Sequence, residues 1–190
     1  NNLSGSIPSD IDQLTKVNVL SLYNNQLTGE IPASIGNFNM LGILQLNNNK
    51  LEGNVPEELG NLINLRRFDV EHNNLSGDLP STFGQLTNLE NVDLRYNNLT
   101  GSLPDISGMT KITALHTAHN NFSGEVPAPY GLNTSLKELV LHANIGLSGV
   151  TENIFVSNTA LKYLDVRHTE MTQTKPNLET LKTVNGGFFG

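Results

Sequence analysis

The chain contains no cysteine, so disulfides, thiolate metal ligands and thiol nucleophiles are all excluded, and cysteine usage gives no reading of the redox compartment. Cationic residues are scarce: 11 Lys and Arg stand against 18 Asp and Glu. The resulting net charge of −7 argues against a phosphate backbone as partner, and no nucleic acid is expected. No apolar run approaches the roughly 20 residues that span a bilayer. The opening Asn1-Asn2-Leu3-Ser4-Gly5 has neither a charged nor an apolar leader segment, so this segment is not expected to insert into a membrane directly. The glycines of the repeats sit singly, one interval apart and not ahead of helices, which excludes a phosphate-cradling loop. What is left is an acidic chain of 190 residues, 37% hydrophobic, long enough for one folded domain.

What the sequence does have is a repeat. The string Asn-x-Leu-x-Gly-x-hydrophobic-Pro begins at Asn1, Asn25, Asn49, Asn73, Asn97 and Asn120, reading NNLSGSIP, NQLTGEIP, NKLEGNVP, NNLSGDLP, NNLTGSLP and NNFSGEVP. Four of the spacings are 24 residues and the fifth is 23, and a looser copy, NIGLSGVT, follows at Asn144. Each copy is preceded by Leu-x-x-Leu-x-Leu-x-x-Asn or a close variant, as in Leu41/Leu44/Leu46, Leu65/Phe68/Val70 and Leu136/Leu139/Leu141, giving seven strand units in all. The Leu-x-Leu alternation puts two apolar side chains on one face of a short strand. Such a strand cannot bury its face alone, so the copies stack into a parallel sheet rising about 4.8 Å per repeat, roughly 30 Å in total. The Asn closing each strand is expected to satisfy backbone groups where the chain turns away. Apolar residues three apart, Ile11/Leu14/Val17, Leu59/Leu62/Leu65 and Phe83/Leu86/Leu89, predict short 3₁₀ turns on the opposite, convex side.

These residues carry a resemblance. The unit LxxLxLxxNxLxGxIP is similar to that of the plant-type leucine-rich repeat class, and the similarity covers about residues 1–170. The fold expected is an α/β-type repeat solenoid. The resemblance implies a right-handed superhelix with a parallel concave β-sheet, a short second sheet from the LxGxIP segments and a 3₁₀ or irregular convex side. It also implies extracellular or cell-surface roles: ectodomains of receptor-like kinases and receptor-like proteins, and secreted inhibitors of cell-wall-degrading enzymes. Ectodomains of this class carry paired-cysteine caps that this chain lacks, and the sequence opens on a ladder Asn, in the middle of a repeat. A fragment, or a cap built without cysteine, is therefore expected. Residues 171–190 hold no full repeat and are expected to form a degenerate cap or a truncated unit.

Four columns of concave residues follow from the strand pattern. They are Val19/Ile43/Arg67/Asn91/Ala114/Glu138/Tyr163, Ser21/Gln45/Asp69/Asp93/His116/Val140/Asp165, Tyr23/Asn47/Glu71/Arg95/Ala118/His142/Arg167 and Asn24/Asn48/His72/Tyr96/His119/Ala143/His168. No column holds a single residue type throughout, which suits a surface for a specific partner. Arg67, Asp69, Glu71 and His72 with Asp93, Arg95 and Tyr96 form the patch expected to contact it, since Arg and Tyr are favoured interface anchors. His116, His119 and His142 extend that patch, and all five histidines of the chain fall in these columns. They read either as a pH-sensitive face or as solvated strand residues. No carboxylate column completes a tetrahedral set around them, so no metal and no cofactor are expected. Asp69 and Asp93 share a column on adjacent repeats, which sets their carboxylates about 5 Å apart, the separation of a retaining glycosidase. Arg67 and Arg95 beside them, and the cross-strand pair Glu71–Arg95, explain the cluster by charge pairing instead. An open face also lacks the dry pocket that tunes an acid and a base, so no catalytic residue and no enzyme are expected.

Asn-x-Ser/Thr sequons occur at Asn2, Asn74, Asn98, Asn121 and Asn133. Four of them are written by the repeat itself, and their glycosylation would place the chain on a secretory route. The expectation is an extracellular module that binds a protein or peptide on its concave face. The alternatives are a structural cell-surface or matrix glycoprotein, to which lateral self-association belongs, and a secreted inhibitor of a hydrolase.

Overall fold

The computed structural model describes residues 1–149 and 158–171. Seven short parallel strands, Val19–Ser21, Ile43–Gln45, Arg67–Asp69, Asn91–Asp93, Ala114–His116, Glu138–Val140 and Tyr163–Asp165, form one continuous sheet in chain order. The register advances by one repeat per strand: Leu20 faces Leu44, Leu44 faces Phe68, and Phe68 faces Val92. Those inner residues are where the alternation put them. Leu44, Phe68, Leu115 and Leu139 are fully buried in a single stripe of core that runs along the stack. Burying each such side chain contributes about 1.5–3 kcal/mol, and each does so only against the repeat on either side.

The second sheet expected beside the first is present in two parts. Ser4–Ser6, Gln26–Gly29, Lys50–Gly53, Asn74–Asp78 and Asn98–Thr100 form a five-stranded piece, and among the described residues Ser123–Glu125 pairs with Gly146–Ser148 in a separate two-stranded piece. The break falls at the repeat that is one residue short. The convex 3₁₀ turns Ile11–Gln13, Ala33–Asn37, Glu57–Asn61 and Ser81–Gln85 stack in order, but the shortened repeat has none, and the next convex element is a one-turn helix, Pro129–Leu132. Tyr130 of that turn is completely buried and donates its hydroxyl to Pro104 O of the shortened repeat at 3.0 Å.

The closing Asn of each strand acts as the ladder expected. Asn97 donates through Nδ2 to Val70 O (2.9 Å) and Leu94 O (3.1 Å), and its Oδ1 accepts from Leu75 N–H (3.0 Å). One amide thus joins two repeats and closes its own turn. Asn49, Asn73, Asn120 and Asn144 repeat the arrangement. At the last described repeat Thr169 takes the position, its hydroxyl donating to Val166 O at 2.7 Å. The expectation for residues 171–190 concerns a segment of which 172–190 lie outside the described residues.

Candidate functional site

The residue before each ladder Asn has a left-handed backbone. Asn24, Asn48, His72, Tyr96, His119, Ala143 and His168 all have φ between 53° and 56°. For a residue with a Cβ this conformation is uncommon, and Asn and His tolerate it best. Because every repeat makes the same turn, these side chains leave the backbone in the same direction, one strand spacing apart. His72, Tyr96 and His119 consequently form a stack: ring centroids lie 4.2 and 4.3 Å apart with interplanar angles of 6° and 13°. Where Ala143 offers no ring, His142 from the adjoining column meets His119 edge-on at 4.9 Å. The ring faces cover one another, so the stack presents a row of polar edges: imidazole nitrogens and the Tyr96 hydroxyl.

Beside the stack runs a row of charges. Asp69 is held by Arg67 (Nη2 to Oδ2, 3.1 Å), and Asp93 is gripped by the fork of Arg95 at 2.6 to 3.2 Å. Arg95 Nη2 also reaches Glu71 Oε1 at 2.9 Å, which realises the cross-strand pair read from the columns. Asp165 and Arg167 repeat the Asp93–Arg95 geometry, with contacts of 2.9 and 2.7 Å. In both, the carboxylate also accepts its arginine's own backbone N–H at 3.2 Å, so the spacing Asp-x-Arg builds the pair within one turn.

Exposure divides the patch. The side chains of Arg67 and His72 are half exposed, but that of Asp69 is only 7% exposed. The Asp69 carboxylate is thus largely withdrawn from solvent, in contact with the more exposed Arg67. Burial raises the Asp69 carboxyl above its ordinary range against the bond from Arg67, with the like charge of Asp93 adding to the rise. Burial and Asp93 likewise raise Glu71. Burial also works against ionisation of Asp93, yet the adjacent His116 and the forked Arg95 more than offset it and hold its pKa below the ordinary value. The guanidinium is the shorter contact, since His116 Nδ1 stands 3.7 Å away.

Two of the histidines have carboxylate neighbours. His116 lies between Asp93 (3.7 Å) and Glu138 (Nε2 to Oε2, 3.3 Å), and His142 Nδ1 is 3.0 Å from Asp165 Oδ2. Neither His116 Nε2 nor His142 Nδ1 makes a hydrogen bond, and both atoms are buried, so these are close approaches without a bonded proton. Burial lowers the His142 pKa against the pull of Asp165, with His119, Arg167 and His168 lowering it further. Among the described residues, the carboxylates close enough to share a cation are Asp69, Glu71 and Asp93, whose oxygens lie within 4.8 Å of one another. Arg95 already bridges two of them, so their charge is met by a guanidinium.

The column reading brought together Arg67, Asp69, Glu71, His72, Asp93, Arg95 and Tyr96 and extended them to His116, His119 and His142; the structure sets His116 against Asp93 and joins His119 and His142 to the ring stack. It missed Glu138, Asp165 and Arg167, although the DVR spelling of Asp165–Arg167 repeats the DLR of Asp93–Arg95. Of the sequons, Asn2, Asn74, Asn98 and Asn121 are exposed. Asn133 is half-buried and donates Nδ2 to Met109 O at 3.0 Å, the nitrogen a glycan would need.

Two leucine-rich repeat family profiles match the chain, one over residues 63–122 and one over 16–38 and 40–62. The ectodomain of the Arabidopsis thaliana receptor kinase SOBIR1 is 31% identical, covering 67% of this chain and 71% of its own length, with a TM-score of 0.65. The chain belongs to the leucine-rich repeat family. Larger ectodomains superpose more closely. That of the Arabidopsis receptor kinase HAESA, in complex with the peptide hormone IDA and the co-receptor SERK1, has a TM-score of 0.88 at 29% identity. That of the Arabidopsis thaliana receptor kinase GASSHO1/SCHENGEN3, in complex with CASPARIAN STRIP INTEGRITY FACTOR 2, has a TM-score of 0.87 at 30% identity. This leucine-rich repeat chain matches them over 97% and 93% of its length but spans only 31% and 21% of theirs. No curated relative matches it. No helix among the described residues is long and apolar enough to cross a membrane. The leucine-rich repeat scaffold it shares with these ectodomains is a binding scaffold, and no catalytic family is indicated.

Proposed function

We propose that the chain is an extracellular recognition module that binds a protein or peptide on its concave face. The observation that carries this reading is the junction of the His72–Tyr96–His119 stack with the Arg67/Glu71/Arg95 charge row. It is a continuous surface on rigid strands, with exposed Arg and Tyr anchors and charges of both signs. The ligands named with HAESA and GASSHO1/SCHENGEN3 support a peptide or protein as the class of partner. The open sheet binds by contact area and charge order.

The test is selection of a random linear-peptide display library on the intact chain, followed by affinity measurement of the enriched peptides. Replacing Arg67 and Tyr96 together by Ala is expected to weaken them tenfold or more, about 1.4 kcal/mol, without loss of fold. Unchanged affinity removes this patch from the reading. The extracellular assignment is tested by intact mass and peptide mapping of the native protein. Glycans are expected on Asn74, Asn98 and Asn121 and not on Asn133, whose amide is engaged. A bare chain from a glycosylating organism overturns the assignment.

A further inference from the structure

The first of the concave columns carries opposite charges at two points and none between them. Arg67 faces Asn91 in register, Asn91 faces Ala114, and Ala114 faces Glu138, with Tyr163 next in the row. Arg67 and Glu138 are therefore three strand spacings apart, roughly 14 Å at about 4.8 Å each. The backbone pins both ends: Arg67 N–H donates to Gly42 O at 3.1 Å, and Glu138 N–H donates to Thr113 O at 3.0 Å.

Both charged groups have binding capacity left over. Arg67 donates to Asp69 through Nη2 at 3.1 Å while half of its side chain stays exposed, so donors of the guanidinium remain open. Arg95 is the contrast, with Nε and Nη2 both taken up by Asp93 and Nη2 also by Glu71. Glu138 is the exception among the concave carboxylates. Asp69, Glu71, Asp93 and Asp165 each lie within 3.1 Å of a guanidinium nitrogen. Among the described residues Glu138 instead approaches His116 Nε2, at 3.3 Å and without a hydrogen bond, and its side chain is half exposed. Its neighbours in the row suit a cation. Ala114 is short on one side and Tyr163 is exposed on the other, so the stem of a Lys or Arg can lie on the sheet while its head meets the carboxylate and the ring.

We propose that this row is a charge ruler for an extended peptide, which places an acidic residue on Arg67 and a Lys or Arg on Glu138 about four positions away. This rests on the concave-face reading and names the ligand it selects. Four extended residues at about 3.3 Å each cover roughly 13 Å, which matches the separation of the two groups. Asn91 and Ala114 between them carry no charge, so no group on that line competes for either end of the ligand.

The experiment uses the peptides enriched from the display library, measured on the intact wild-type chain and on Glu138→Gln. The enriched peptides are expected to carry Asp or Glu and Lys or Arg three to five positions apart, in either order. Glu138→Gln is expected to weaken them five- to tenfold while thermal unfolding is unchanged. Replacing the peptide's basic residue by Gln is expected to cost the same factor on wild type and nothing more on Glu138→Gln, which couples the two groups directly. The acidic end is read from the peptide, because Arg67 also holds Asp69: its change to the amide is expected to weaken binding equally on both proteins. Moving the basic residue two positions further from the acidic one is expected to cost as much as removing it. Peptides that lack the paired charges, that bind Glu138→Gln as tightly as wild type, or that show additive losses overturn the ruler. If such peptides lose affinity in Arg67→Ala/Tyr96→Ala, the concave-face reading survives without it, and if they do not, both fall.

Discussion

Two columns of the solenoid stand side by side and obey opposite rules. In the ladder column, Asn49, Asn73, Asn97, Asn120 and Asn144 are the same residue because the side chain itself is the structure. In the column immediately before it, the backbone is just as uniform, with φ near 55° at all seven positions, yet the residues are Asn, Asn, His, Tyr, His, Ala and His. There the turn is made by the main chain and the side chain is released to solvent. Identity is fixed where a side chain completes the hydrogen bonding of the stack and free where it does not, and the free column is where the candidate site is built. A repeat protein separates fold from recognition by this means, one residue apart.

The sharpest way to break this comparison is to exchange the loss. Asn97→Leu leaves Leu75 N–H and the carbonyls of Val70 and Leu94 buried without their partner. Its expected cost is about 3–5 kcal/mol in denaturant unfolding, the sum of several buried groups left unsatisfied. Tyr96→Ala, the next residue, forfeits ring stacking alone and is expected to cost about 0.5–1.5 kcal/mol. Equal costs at the two positions would refute the division between them.

A smaller effect belongs to the irregular repeat, where one side chain again does structural work. Tyr130→Phe keeps the buried ring but strips Pro104 O of its hydroxyl partner. A loss of about 1–3 kcal/mol is expected, with native secondary structure retained in circular dichroism. An unchanged stability would mean that burial of the ring is enough by itself.

Much of this was legible in the sequence, because a fixed period converts sequence distance into register. The seven strands, the core stripe, the ladder and the Glu71–Arg95 pair follow from counting 24. What was not legible depends on features that a period does not encode. The left-handed turn is a backbone property, signalled only by the Asn and His residues of its column, and the ring stack depends on it. His142 meets Asp165 across columns rather than along one, so reading columns separately missed the contact. Asp69 was placed on the right face but is largely withdrawn from solvent there, and a pattern of facing does not report burial.

His142 gives a pH-dependent test of the same boundary, since it lies beside the free column and is half engaged with the stack. Burial lowers its pKa in the folded chain, so folding favours the neutral ring. Its stabilising contribution is present above the ordinary histidine value of about 6.5 and is lost as pH falls through the lower folded value. Asp93 and Asp165, also lowered, act in the same direction but below the ordinary carboxylate range. Asp69 and Glu71, which are raised, act oppositely: their contribution is present below that range and is lost as pH rises. Comparing wild type with His142→Gln isolates the histidine. The stability of the variant is expected to fall less between pH 7 and pH 5, as read from urea midpoints, and parallel curves would show that the ring is not coupled to folding.

The smallest expected effect is a gain. At Ala143 the free column holds a residue with a Cβ, no ring to stack and φ of 56°. A non-glycine residue bears roughly 1–2 kcal/mol of steric cost in this region, while glycine bears about 0.5–1 kcal/mol of additional chain entropy on folding. The difference favours glycine, and Ala143→Gly is expected to stabilise the chain by about 0.5–1 kcal/mol, seen as a raised thermal midpoint. The neighbouring ladder gives the control, because Asn144→Gly removes an amide that joins two repeats and is expected to be strongly destabilising. Opposite signs from the same substitution at adjacent positions would be direct evidence that one column is held by its backbone and the other by its side chains. Two losses would mean that Ala143 contributes packing that its position in the turn does not reveal.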